Sequence, residues 1–295
     1  WEEGFHGLDQ VWCPSAFTAS SLGLRSPIPV SPLPHLIDWR RADRLRDLRR
    51  SAVGHRASSR QPFTCLFAFD FWSTQSRKNP EGVVEAFQLA FPRRHPWGVP
   101  RREARLVLKI ASSDQFPQAT EHLRTRTADD PRIQLITRHL SRQDFDQLYA
   151  TADALVSLHR AEGFGLALAE AMAGELPVVA TGYSGNMEFM APGTAELVPY
   201  RLVRIPRTEG DYRAGCHWAE PEIDAAAAVL RRLAADSTYR IRLGRSGRSV
   251  VERVLAPDRI ASMVSQRLGV LLRWAGRAEL LAALPADHPL RLIEG

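Results

Sequence analysis

The chain has 295 residues, 44% hydrophobic and 24% charged, which suits a globular protein of one large or two smaller domains. Its formal net charge of +6 is almost wholly arginine, with Lys78 and Lys109 the only lysines, and no dense basic run of nucleic-acid type appears. No stretch approaches the roughly 18 apolar residues of a membrane span. The start "WEEGFHGLDQ" has no signal-peptide core, and Cys13, Cys65 and Cys216 are too scattered for a disulfide framework.

A reducing cytoplasm is therefore the expected compartment. The histidines form no HxH or HxxxH pair, so no metal is expected, and no nucleic-acid partner either.

In chain order, "DQVWCPSAFTASSLG" (9–23) predicts a strand and then a helix, with Ser15 near the cap. "SPIPVSPLPHLI" (26–37) is too proline-rich for a central strand and reads as an edge strand or a linker. "RRADRLRDLRR" (40–50), with Asp and Leu interleaved, reads as a solvated helix. There is no initiator Met, so the start is read as a cut. Residues 1–60 are expected to be the end of a truncated N-terminal α/β domain plus a linker.

The pattern changes at residue 61. "QPFTCLFAFDF" (61–71) is a β-rich apolar run, and "PEGVVEAFQLAF" (80–91) is a proline-started helix with Val83, Val84, Phe87 and Phe91 on one face. "ARLVLKI" (104–110) is a strand, a helix is expected near 115–127, and "RIQLIT" (132–137) is a strand. "SRQDFDQLYATA" (141–152) is a helix capped by Ser141, and "DALVSL" (153–158) a strand. "FGLALAEAMAG" (164–174) is a helix and "LPVVAT" (176–181) a strand, with mostly helix over 220–275.

Near-continuous apolar strands alternating with helices signal a parallel sheet covered on both faces. The expected fold class is α/β, a doubly wound Rossmann-like sheet. Residues 61–275 would form this domain and 276–295 a C-terminal tail.

The segment "HRAEGFGLALAEAMA" (159–173) carries the chemistry. Ligands of such sheets bind beyond the carboxyl ends of the strands, which places the loop after Leu158 at the site. Gly163 and Gly165 let the backbone approach a ligand closely. The first amides of the following helix form a ready anion site. Glu162 precedes the helix, and Glu170 lies roughly 9 Å along it at 1.5 Å per residue. A hydroxyl acceptor, an anion site and a second hydroxyl acceptor follow one another, as do the sugar, diphosphate and ribose of a nucleotide-sugar. The residues alone leave a second reading open, in which Glu162 caps the helix and Glu170 is a solvated surface residue.

"EGFGLALAE" (162–170) resembles the E-x7-E motif of the retaining GT-B glycosyltransferases of family four. "SRKNPEGVVEAF" (76–87) resembles their lysine-bearing loop and helix. "DFDQLYATADALVSLHRAEGFGLALAEAMAGELPVVATGYSGNMEF" (144–189) and "WAEP" (218–221) follow the family in order. The resemblance covers about 61–275, the donor-binding half.

It implies that Glu162 holds hydroxyls of the transferred sugar and that Lys78 contacts the diphosphate as it leaves. The amides of Gly163, Phe164, Gly165 and Leu166 would face the sugar and diphosphate. Glu170 would hold the ribose and Leu140 would lie against the base. Many relatives carry an arginine six residues before the lysine. That position is Trp72 here, and Arg77 is the candidate replacement. Asp70 is read as a turn former, and His159 and Arg160 as residues lining the cleft.

The implied activity is transfer of a hexose, mannose-like or glucose-like, to a hydroxyl acceptor with retention. The implied partners are the nucleotide-sugar and a glycan or lipid-linked glycan, with peripheral association at the inner face of the membrane. The donor would be a substrate, with no cofactor or metal. A sugar-nucleotide epimerase of the same architecture and a non-catalytic sugar-nucleotide-binding module are the alternatives. No G-x-G-x-x-G follows the first strand of the domain, which argues against a dinucleotide fold.

Overall fold

The structure is a computed structural model that describes residues 2–57, 61–93, 103–277, 279–280 and 283. Most of the expected 276–295 tail lies outside the described residues. The chain starts with a small unit in which β1 (Val11–Cys13) pairs in parallel with β2 (Val30–Pro32) across α1 (Ala16–Gly23). Ser15 caps α1 by accepting from the Thr18 amide, as its position in the sequence predicts. The proline-rich stretch supplies β2, an edge strand. Then α2 (Trp39–Ala57) leads toward the main sheet.

That sheet contains β3 (Phe63–Asp70), β4 (Ala104–Ala111), β5 (Ile133–Ile136), β6 (Ala154–Ser157), β7 (Val178–Thr181) and β8 (Glu196–Val198). All six strands are parallel, in the order β5-β4-β3-β6-β7-β8. The connecting helices are α3 (Gln75–Lys78), α4 (Pro80–Ala90), α5 (Pro117–Thr127), α6 (Arg142–Thr151) and α7 (Leu166–Ala173). A hairpin follows, β9 (Tyr200–Arg204) antiparallel to β10 (His217–Pro221). It leads to α8 (Ile223–Ala235), α9 (Ser237–Val254) and α10 (Pro257–Trp274).

Two apolar layers cover the sheet, as a doubly wound fold requires. On one face Val83, Val84 and Phe87 of α4 pack with Leu230 and Leu233 of α8. On the other, Tyr149 of α6 and Leu168 and Met172 of α7 pack with Ala42 and Leu45 of α2.

Helix α2 corrects the expectation of a solvated helix. Arg41 and Arg49 are buried together with Ala42 and Leu45. Arg49 donates through Nη1 to the carbonyl oxygens of Tyr149 and Ala152, at 2.9 and 2.7 Å, at the C-terminal end of α6, where carbonyls lack partners within the helix. Long arginine stems bury as apolar matter while their heads find acceptors, so the composition misled.

Strand order sets the site. Chain connection switches direction between β3 and β6, and a crevice opens there beyond the carboxyl ends of the strands.

Candidate active site

Two segments meet at that switch point. The loop after β3 forms a short turn over Phe71–Ser73, where Asp70 accepts from the Trp72 amide at 3.0 Å. It then enters α3, whose last two residues are Arg77 and Lys78. Asn79 sits in the left-handed region at φ 55°, caps α4 and donates to the Leu158 carbonyl at 2.9 Å. This bond across the switch point ties the β3 loop to the end of β6.

The loop after β6 carries Glu162. The Lys78 ammonium binds Glu162 Oε1 directly, and Arg77 Nη1 lies 3.3 Å from Glu162 Oε2. All three side chains are largely buried and line a cavity of about 280 Å³ with Gly165 and Leu166. Burial pushes the Glu162 carboxyl up, but the adjacent Lys78, His159 and Arg77 outweigh it and hold the group below the ordinary carboxylate range. Glu162 is thus an anion at neutral pH inside a cationic pocket.

Glu162 does not cap the helix. The N-cap of α7 is Gly165 at φ +88°, with no side-chain bond, so the first amides of α7 face the cavity without a protein cap. Arg77 is no solvated arginine: Nε donates to the Ser73 carbonyl at 2.9 Å and Nη1 to the Ala161 carbonyl at 2.7 Å. Trp72, at the position of the absent arginine, points elsewhere. It is exposed and donates to Gln115 at 3.0 Å.

The other expected residues divide. Gly163 presents its carbonyl to Ser15 Oγ at 2.6 Å and Thr18 Oγ1 at 3.1 Å, so the N-terminal unit grips the site loop. The Phe164 side chain is buried against Phe189 and His35. Leu140 is buried in the connection before α6 and does not line the cavity. Glu170 stands on α7 outside the cavity lining, with Oε2 bonded to Arg41 Nη1 at 2.6 Å.

Two expectations are corrected. His159 does not line the cleft: it is fully buried between Ser157 Oγ at 3.1 Å and Asn186 Oδ1 at 3.1 Å. Burial outweighs the other influences and holds its pKa below the usual value, which keeps the ring neutral. Arg160 pairs with Glu220 at 2.7 Å, donates to the Ser76 carbonyl at 2.5 Å and lies over the Trp218 ring at 5.3 Å. It ties the β9–β10 hairpin to the α3 loop.

Gly185 is a residue the sequence did not single out. Its amide donates to the Glu162 carbonyl at 2.9 Å. A Cβ there would collide with the Gly163–Phe164 peptide. The "SGN" in "GYSGNMEF" was the available signal.

The family model of the glycosyl transferases group 1 matches residues 74–250, more than half of the chain, including Arg77, Lys78 and Glu162 of the crevice just described. The chain belongs to this family. A search of curated protein sequences found no match.

Among solved structures, the group 1 chain is similar to sucrose-phosphate synthase from Thermosynechococcus elongatus. The TM-score is 0.66 at 20% identity, covering 92% of this chain and 60% of that one. A glycosyltransferase from Rickettsia africae matches with TM-score 0.66 at 16% identity, over 92% of this chain and 66% of the other. The Anabaena protein HepE, solved in complex with UDP and glucose, matches with TM-score 0.61 at 15% identity, over 89% and 63%.

The group 1 chain therefore has the GT-B glycosyltransferase fold. It spans between 60% and 66% of the length of these structures. Among the described residues no helix is long and apolar enough to cross a membrane, and no group of three His, Cys, Asp or Glu side chains is placed to hold a metal.

Proposed function

We propose that this chain is the donor-binding part of a retaining glycosyltransferase of family four. It would transfer a hexose from a nucleotide-diphosphate-sugar to a hydroxyl of a glycan or lipid-linked glycan, at the cytoplasmic face of a membrane. The observation that carries the reading is the convergence of Lys78 and Arg77 on Glu162, beside the uncapped start of α7. A buried carboxylate flanked by two cations suits a ligand with hydroxyls next to a diphosphate.

In this reading Glu162 accepts from the hydroxyls of the sugar. The diphosphate takes Lys78, Arg77 and the amides of Gly163 to Leu166. Glu170 accepts from the ribose, and Leu140 borders the base. Charge on the leaving diphosphate grows toward the transition state and meets groups already oriented toward it. Among the described residues, Glu162 is the only carboxylate in the cavity lining, and Lys78 and Arg77 already hold it.

A front-side displacement follows. The acceptor oxygen bonds to the anomeric carbon on the face the diphosphate leaves. The bond from that carbon to the phosphate oxygen breaks, and the departing phosphate takes the acceptor's proton. The route needs no metal or further cofactor. HepE, solved with UDP and glucose, supports a donor of this chemical class.

A thermal-shift screen tests the reading, because a ligand that binds only the folded chain raises its apparent stability. UDP, GDP and their glucose and mannose conjugates are the probes. At least one diphosphate should raise the melting temperature of the parent. Glu162→Gln should reduce the extra shift from the sugar while leaving that of the bare diphosphate. No shift with any of them would overturn the proposal.

A further inference from the structure

We propose that Arg41, on the helix that precedes the parallel sheet, is a positioning residue for ribose recognition. It would hold Glu170 in the orientation that accepts the ribose hydroxyls. The inference rests on the reading of Glu170 as the ribose acceptor. Arg41 lies outside the segment that the family model matches.

Arg41 is 6% exposed. Its guanidinium is a fork between α6 and α7. Nε donates to Asp146 Oδ1 of α6 at 2.7 Å, and Nη1 donates to Glu170 Oε2 of α7 at 2.6 Å. The rings of Phe145 and Tyr149 lie 5.8 and 5.7 Å from its central carbon. Two carboxylates around one guanidinium leave a net negative charge. Asp146 is buried and neutralises Arg41. The Glu170 side chain is 24% exposed and is the member of the trio open to a ligand.

The division of lone pairs supports the same assignment. A carboxylate has about four acceptor sites. Arg41 occupies one on Oε2, which leaves Oε1 and the second site on Oε2 for a pair of vicinal hydroxyls. Arginine's planar fork fixes direction as well as distance, which a lysine ammonium does not. Held this way, Glu170 is ordered before the nucleotide arrives, and binding no longer carries that cost. Arg49, two turns along the same helix, donates to the backbone carbonyls of Tyr149 and Ala152 at the end of α6, and so provides a control for the docking of α2 itself.

The test uses calorimetric titration of the full chain with UDP and GDP, each against its 2′,3′-dideoxy form. For the nucleotide that binds, the parent should prefer the ribose form by about tenfold or more, as expected for lost charge-assisted hydrogen bonds. In Arg41→Gln that preference should fall to about threefold or less, because the carboxylate is no longer aimed. Arg49→Gln should lower the melting temperature and keep the preference. If Arg41→Gln does not fold, Arg41→Lys replaces it, with the charge kept, the fork lost and the same fall expected.

An unchanged preference in the folded Arg41 variant would overturn the inference. So would an equal loss in Arg49→Gln, which would make the docking of α2 responsible. A parent with no preference for ribose would instead refute the role of Glu170, and the inference with it.

Discussion

Replacing Lys78 with methionine removes the ammonium from Glu162 and keeps most of the side-chain volume. Glu162 and Arg77 each have 11% of the side chain exposed, and Lys78 18%, so the anion cannot turn to bulk water. Breaking a buried ion pair from one side costs about 3–5 kcal/mol when nothing compensates. Arg77 remains at 3.3 Å from Glu162, so the expected loss is smaller, about 1–3 kcal/mol. At roughly 2–4 °C per kcal/mol for a domain of this size, the melting temperature should fall by about 2–12 °C.

Adding Glu162→Gln should restore part of the loss, with a coupling of about 0.5–3 kcal/mol in a double-mutant cycle. Lys78→Met should also weaken binding of a nucleoside diphosphate by about tenfold or more while sparing the nucleoside, because only the diphosphate needs the cation. Thermal melts of the four variants and calorimetry with UDP and uridine, or GDP and guanosine, supply both readings. A Lys78→Met chain that melts with the parent and binds the diphosphate equally well would refute the reasoning. The cation at the site would then be Arg77 alone.

Three other outcomes follow from the same geometry. Glu170→Gln should weaken every nucleotide carrying ribose, whereas Glu162→Gln should weaken the nucleotide-sugar and spare the bare diphosphate. Calorimetry checks the split, and equal losses for both ligands in both variants would contradict it. Gly185→Ala forces a Cβ into the Gly163–Phe164 peptide and should destabilise the chain by about 1–3 kcal/mol, seen in thermal melts. An unshifted melt would show that the loop yields freely.

The last concerns pH. His159 has a depressed pKa in the folded chain, so below its ordinary pKa of about 6.5 the unfolded chain binds a proton that the folded one refuses. Stability should therefore fall as pH drops below about 6.5, by up to about 1.4 kcal/mol per unit until the folded pKa is reached. His159→Gln should remove that slope, as melts between pH 7.5 and about 5.5 would record.

Much of this molecule is local in origin. The apolar runs that became β3, β4 and β6, the caps at Ser15 and Ser141 and the glycine at the start of α7 all depend on neighbours within a few residues. Each was visible as a period, a cap residue or a breaker. So was the placement of Glu162 beyond a strand end, since an alternating strand–helix pattern fixes which loops lie at the ligand-binding edge.

What the chain does with its charges was not local. Arg40, Arg41, Arg44, Arg46, Arg49 and Arg50 look alike in "RRADRLRDLRR", yet only Arg41 and Arg49 among them are buried. The choice depends on where α6 and α7 present Asp146, Glu170 and free carbonyls, more than 90 residues away. Likewise His159 turned inward because Ser157 and Asn186 offered partners there, while Arg77 turned to Glu162 because the backbone after β6 brought Ala161 within reach. Periodicity reports which face of an element is apolar. It does not report which buried acceptor a long cationic side chain will find, because that acceptor exists only once distant segments have packed.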